Sequence, residues 1–302
     1  MDTPDQVEIA PPAHGAHPHA APGAHAAETH AAPARSRKTL IFANDKSSGK
    51  TTTANAVIVS LLKHYPVLMK ATEVREYERH PRLAAIFSNE DGIGAVSHRD
   101  ARNAAAFEMS RELAYDPNAT PWDDMLYAIG LGNMLIDLGS NMFTEICRIL
   151  DDEPRPIFPD DGARVGVVVP LTTASDSVES AKAAIDSVVG WGTHTHVFIV
   201  EQEYFGRFED DMREWSLYRD RLVAAEHGRV QVMRVEKLAV ANIGSVVFQR
   251  IDRMVMEAES VLKSDKLTGA ALLRALRQAR AEIAWGNRTL EAVQPIADWF
   301  AS

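Results

Sequence analysis

Apolar residues along the chain gather in short dense runs, separated by longer stretches in which they recur every three or four positions. The runs at 39–43, 67–69, 133–138, 165–169, 196–200 and 230–234 predict strands, the first of them apolar in the way of strands buried on both faces. Between them the spacing predicts helices. Residues 51–64 place Ala54, Val57, Ile58, Leu61 and Leu62 on one stripe, and Pro66 stops that helix. Residues 81–130 read as mostly helical, with loops at 89–94 and 116–121. A mixed helical run covers 142–150. Residues 175–189 put Val178, Ala181, Ile185 and Val188 on a shared face with Asp176 near the cap. Segments 245–263 and 268–299 read as amphipathic helices, the latter packed on the body by Trp285 and Trp299. Strand, loop and helix in repetition predict an α/β fold: a mostly parallel sheet with helices on both faces. Ligands of such sheets bind outside the carboxyl ends of the strands.

The first 36 residues follow neither pattern. They are nearly all Ala, Pro, His and Gly, a composition with too little apolar surface to offset the entropy of ordering. They are expected to be a disordered tail, with the folded domain at 37–302. His14, His17, His19, His25 and His30 match no structural zinc spacing. Arg35, Arg37 and Lys38 form a small basic step into the fold.

Composition changes this picture little. The chain has 302 residues, 46% hydrophobic and 25% charged, as a soluble globular protein does. A net charge of −10 excludes a whole-protein basic footprint for nucleic acid, but not one basic face. Arg213, Arg219, Arg221 and Arg229, and then Arg274, Arg277, Arg280 and Arg288, are the candidates for such a face, or else solvated helix surfaces. The one cysteine, Cys147, reads as a small core residue and points to a reducing, cytoplasmic compartment. No apolar run reaches the ~20 residues of a membrane span, so integral membrane association is not expected.

The candidate chemistry lies just after the first strand. Residues 44–51 read Asn44-Asp45-Lys46-Ser47-Ser48-Gly49-Lys50-Thr51. The ending matches a phosphate-binding loop between a strand and a helix. Main-chain N–H groups of such a loop and of the first helical turn point at the anion. Gly49 allows close approach, Lys50 neutralises the β and γ phosphates, the Thr51 hydroxyl joins a Mg²⁺ shell, and Thr52 reaches the α phosphate. Asn44 replaces the opening glycine; asparagine enters left-handed backbone more readily than most residues. Asp137, at the end of the apolar run 134–136, is placed to hold Mg²⁺. Gly139 follows it and would let the backbone approach the γ phosphate.

On these residues the chain resembles the ParA/MinD-like P-loop ATPases with a deviant Walker A loop. It is most like the plasmid-borne StbB/TraL-like group involved in plasmid stability and conjugation. The resemblance spans roughly 38–250 and includes Gly49-Lys50-Thr51-Thr52, Leu135-Ile136-Asp137-Leu138-Gly139, Val167-Val168-Val169-Pro170 and the helix after Thr172-Thr173-Ala174. It implies ATP and Mg²⁺ as ligands, a homodimer on nucleotide binding, DNA, a membrane or a DNA-binding adaptor as partner, and slow hydrolysis. It implies a signature lysine early in the loop, where this chain has Asp45 followed by Lys46. Either Lys46 takes that part, or nucleotide is bound without the usual activation. The resemblance also implies a water-positioning acid after the second strand, for which Glu73 is the nearest carboxylate, and base recognition after the later strands, near Glu201, Gln202 and Glu203. The guanine-reading N-K-x-D is absent there. A switch ATPase of a plasmid or mobile-element partition system is the first functional expectation. A non-catalytic module with a degenerate loop is the second. A small-molecule kinase, with a lid in 75–111, is the third.

Overall fold

Seven strands form one sheet: β1 (Lys38–Phe42), β2 (Glu73–Glu78), β3 (Ala95–Asp100), β4 (Met134–Leu138), β5 (Arg164–Leu171), β6 (Thr195–Gln202) and β7 (Val230–Val235). They lie in the order β3-β2-β4-β1-β5-β6-β7, and all six pairings are parallel. The computed structural model describes residues 37–44, 48–78, 80–87, 92–100, 121–139, 142–152, 164–208, 212–238, 249–263 and 268–302. The chain divides into two units, Met1–Arg35 and Ser36–Ser302; the described residues all belong to the second. The expected tail at 1–36 and the loop residues Asp45, Lys46 and Ser47 lie outside them.

Parallel strands need crossovers, and helices supply them. These are α1 (Lys50–His64), α2 (Pro66–Met69), α3 (Leu83–Ile86), α4 (Pro121–Leu131), α5 (Met142–Asp152), α6 (Ser175–Gly190), α7 (Arg213–Ala225), α8 (Ile251–Leu262) and α9 (Gly269–Ala301). The period-two alternation of side chains sends each strand into two cores. On one face Ile41, Ile136, Val167 and Ile199 pack against α4, α5, α6 and Trp215 of α7. On the other, Leu40, Phe42, Leu135, Val168 and Phe198 pack against α1, α8 and α9. Leu40, Ile41 and Phe42 are fully buried, each stabilising the fold by about 1.5–3 kcal/mol relative to exposure. Gly166 of β5 is small because a Cβ there would lie 2.7 Å from both Leu40 and Trp299. Cys147 is buried in the first core, as its sequence context suggests. Trp285 donates through Nε1 to the Glu236 carbonyl at 2.9 Å, and Trp299 packs edge-on to Phe198, so both tie α9 to the sheet.

The expected mainly parallel sheet between helices is thus found, with three corrections. Residues 67–69 are not a strand but part of α2, because Pro66 sits at its first turn, where a missing N–H costs nothing. The second strand is the charge-rich Glu73–Glu78. The described part of 81–130 holds the short α3 and α4, as a helical reading expects, but also the edge strand β3, which it does not; 88–91 and 101–120 lie outside the described residues. The proposed kinase lid at 75–111 therefore contains most of β2 and all of β3.

Candidate functional site: the loop after β1

β1 is the central strand, with three strands on each side. The segment that leaves it therefore opens at the middle of the sheet's carboxyl edge. Phe42 is in register with Asp137 of β4, which brings the loop and that acid to the same edge.

Gly49 is the N-cap of α1 and has φ +85°, in the left-handed region that favours glycine. No side chain caps this helix. Lys50 and Thr51 follow in its first turn, 7% and 6% exposed, and Thr52 is half-buried. The first-turn N–H groups of a helix and its dipole favour an anion at this end. The Lys50 ammonium donates to the main-chain carbonyl of Asn44 at 2.6 Å. The Thr51 hydroxyl donates to Asp137 Oδ2 at 3.2 Å.

Asn44 works differently from its expected role. Among the described residues the non-glycine positions with positive φ are Asn133 and His227, so Asn44 does not supply a left-handed turn. Instead its buried side-chain amide donates to the carbonyls of Pro170, at 2.9 Å, and Ser177, at 3.3 Å. It staples the start of the loop to the end of β5 and to the first turn of α6. The sequence could not show this, because both partners lie more than a hundred residues away.

Asp137 is buried. Burial pushes its carboxyl up to about 7; Glu76 and Glu78 push the same way, while the Lys50 ammonium and the Thr51 hydroxyl pull it down. Among the described residues its Oδ1 is buried without a hydrogen-bond partner, and so is the Ser48 hydroxyl. Such atoms are costly unless something satisfies them. A hard divalent cation between the Thr51 hydroxyl and the Asp137 carboxylate, with a phosphate against Ser48, would do so. The residues present fit a magnesium nucleotide.

Two expected site residues are placed otherwise. Glu73 opens β2 rather than following the second strand; it is in register with Met134, as Thr39 is, so it stands at the amino edge, opposite the loop. There it accepts from Arg75 Nε at 2.7 Å. Gly139 donates its N–H to the Tyr77 carbonyl at 2.6 Å, and a Cβ there would lie 2.7 Å from that carbonyl. Its smallness serves the close approach of β4's end to β2.

The acids that do reach the site come from the strand the hydropathy pattern missed. Glu76 is in register with Asp137 and fully buried. Its carboxylate accepts from the N–H groups of Arg82 (2.7 Å), Leu83 (3.0 Å) and Ala84 (3.0 Å), the start of α3. Glu78, half-buried, ends β2, with Oε2 only 3.5 Å from where a Cβ on Gly139 would stand. The sequence offers little signal for either acid, since on their face of 73–78 only Val74 is apolar.

Of the arginines, Arg219 binds the Glu201 carboxylate at 2.7 Å, Arg229 holds the Gly192 carbonyl at 2.6 Å and Arg288 pairs with Glu236 at 3.1 Å. Arg213, Arg221, Arg274, Arg277 and Arg280 stay exposed. No helix among the described residues is long and apolar enough to cross a membrane.

Strand, glycine-bearing loop, helix and facing acid make this a P-loop NTPase-like α/β arrangement. No protein-family model matches the chain, and no curated protein does. Solved structures do match, 47 chains in all. One is FlhF in a crystal structure complexed with GMPPNP/Mg(2+): 14% identity, TM-score 0.27, covering 55% of this chain and 56% of that one. This chain thus spans little more than half of that protein, and a likeness so distant carries no argument about chemistry.

Proposed function

We propose that the protein is a nucleotide-dependent switch ATPase of a plasmid or mobile-element partition, stability or conjugation system. The observation that carries this reading is the junction of β1 and α1. A left-handed Gly49 caps the helix, Lys50 and Thr51 follow, and Thr51 is hydrogen-bonded to the buried Asp137. In this reading the main chain from Ser48 to Thr52 wraps the phosphates, joined by Asp45, Lys46 and Ser47, and Lys50 turns from the Asn44 carbonyl to the β and γ phosphates. Thr51 and Asp137 hold Mg²⁺. Water attacks the γ phosphate slowly, oriented by Glu78 rather than Glu73. Nucleotide drives homodimerisation, to which Lys46 contributes, and the dimer binds DNA or a DNA-binding adaptor through the exposed arginines of α7 and α9.

The test is calorimetric titration of Mg·ATP into wild type, Lys50→Ala and Asp137→Ala, followed by turnover with and without DNA. Binding lost in Lys50→Ala, with slow turnover in wild type, supports the switch. Silence in wild type ends it. Glu76 supports a second reading: a buried acid of β2, in register with Asp137, is committed to the start of α3. A module that binds nucleotide without hydrolysing it would show binding and no turnover.

A further inference from the structure

Gln202 sits in a stretch whose sequence suggests base recognition, yet its side chain goes elsewhere. Its neighbour Glu201 is fully buried and accepts from Trp215 Nε1 at 2.9 Å, Arg219 Nη1 at 2.7 Å and Arg234 Nη2 at 3.2 Å. Those partners come from α7 and β7, so the carboxyl end of β6 is anchored from two sides. From that anchored end Gln202, 8% exposed, reaches across β5 to the helix that starts at the loop. Its Nε2 donates to Thr53 Oγ1 at 2.8 Å. The Thr53 hydroxyl in turn donates to the Gly49 carbonyl at 2.9 Å, which also takes the Thr53 N–H at 2.9 Å. The Gln202 amide carbon lies 3.3 Å from where a Cβ on Gly49 would stand.

We infer that Gln202 is a positioning residue for the phosphate loop, holding Gly49 in its left-handed turn through Thr53 before any phosphate arrives. This rests on the nucleotide-binding reading above and adds to it a residue outside the loop. Glycine loses more conformational freedom on ordering than any other residue. A loop ordered in advance does not meet that cost at binding. The residue type follows from the relay. An amide donates to the Thr53 oxygen and leaves the hydroxyl proton for Gly49. A carboxylate at the same place would accept that proton and break the second link, besides adding negative charge beside a polyphosphate.

The experiment uses the full chain as Gln202→Leu, Thr53→Val, Thr53→Ser and the Gln202→Leu/Thr53→Val double variant. Amide hydrogen exchange over 48–53 is measured without nucleotide, Mg·ATP affinity by calorimetry, and folding by thermal melting. Gln202→Leu and Thr53→Val are each expected to speed exchange in the loop and to weaken Mg·ATP about five- to tenfold, the size of one buried hydrogen bond. The double variant should be no worse than either single one. Thr53→Ser, which keeps the hydroxyl, should bind as wild type does. If Gln202→Leu fails to fold, Thr53→Val against Thr53→Ser decides the matter alone. Wild-type affinity and loop exchange in both Gln202→Leu and Thr53→Val overturn the inference and leave nucleotide binding standing, as additive losses in the double variant overturn the relay. Silence of wild type towards Mg·ATP overturns the nucleotide reading and this inference together.

Discussion

The Thr51 hydroxyl donates to the Asp137 carboxylate across 3.2 Å, joining the first turn of α1 to the end of β4. That carboxylate is buried, its other oxygen has no hydrogen-bond partner among the described residues, and its pKa is raised to about 7. Because the folded value lies above the ordinary one, this group's contribution is fully present below about 4 and is lost as pH rises through 7. Above that the ionised group opposes folding by up to about 4 kcal/mol. Asp137→Asn is therefore expected to raise the melting temperature of the nucleotide-free protein at pH 8, and to flatten its stability between pH 4 and 8. The same variant should lose magnesium-dependent nucleotide binding. Melting curves and calorimetry on one preparation check both, and a variant that melts lower than wild type at pH 8 contradicts the account.

His196 of β6 gives the opposite slope. Burial, then Arg164, Arg229 and Lys38, hold it down at about 4. It packs 5.0 Å from the Trp299 ring, centroid to centroid, and its Nδ1 is buried without a partner among the described residues. The unfolded chain takes up a proton near the ordinary value of 6.5, and the folded chain does so only near 4. Stability should fall as pH drops from 6.5 to 4. Urea denaturation at pH 7, 5.5 and 4.5 is expected to show that decline in wild type and a shallower one in His196→Phe. Parallel slopes would remove His196 from the account.

What the sequence made legible and what it hid divide along a physical line. β1, β4, β5 and β6 are apolar runs because both faces of those strands are covered, and such runs announce themselves. The strand–helix junction at Gly49-Lys50-Thr51 is readable because its signal is local: three consecutive residues where an apolar run gives way to a helical stripe. β2 was hidden because Glu73, Arg75, Glu76 and Glu78 look solvated. In the fold Glu73 and Arg75 pair with each other and Glu76 binds three N–H groups of the segment starting α3. Spacing along the chain does not reveal such partners. Missing β2 displaced the expected acid to Glu73, at the wrong edge of the sheet. Asn44 departs from the loop pattern in the sequence itself, but its side chain's partners, Pro170 and Ser177, are brought near only by the fold.

The contact between α8 and α9 depends on a missing side chain. Gly286 lies where a Cβ would stand 2.5 Å from Val255 Cγ2 and 3.2 Å from Met254 Cε. Met254 is itself buried, so the neighbours have little room to yield. Gly286→Val should cost about 1–3 kcal/mol by overpacking, read as a lower urea midpoint with an unchanged slope. Gly192→Ala is a poor control, since that glycine has φ +104°. Gly190→Ala, with nothing within 4 Å of the added methyl, should be neutral or slightly stabilising.

Glu76 and Glu78 both press on Asp137, yet their own contacts separate them. The Glu76 carboxylate takes the Arg82, Leu83 and Ala84 N–H groups. Losing its charge weakens a structural anchor, so Glu76→Gln should lower the melting temperature. Glu78 stands half-buried at the strand's end, beside Gly139 and two residues beyond Glu76, the register partner of Asp137. In the proposed ATPase it is the acid that orients the attacking water. Glu78→Gln is expected to keep the wild-type melting temperature and to bind Mg·ATP within about twofold, since it removes no phosphate or metal contact. Its turnover should fall by about a hundredfold or more, the usual range for a lost general base. Single-turnover phosphate release from the two variants, set beside their melting curves, separates the roles. Undiminished release from Glu78→Gln would return the chain to the reading in which nucleotide is bound without this carboxylate acting on water.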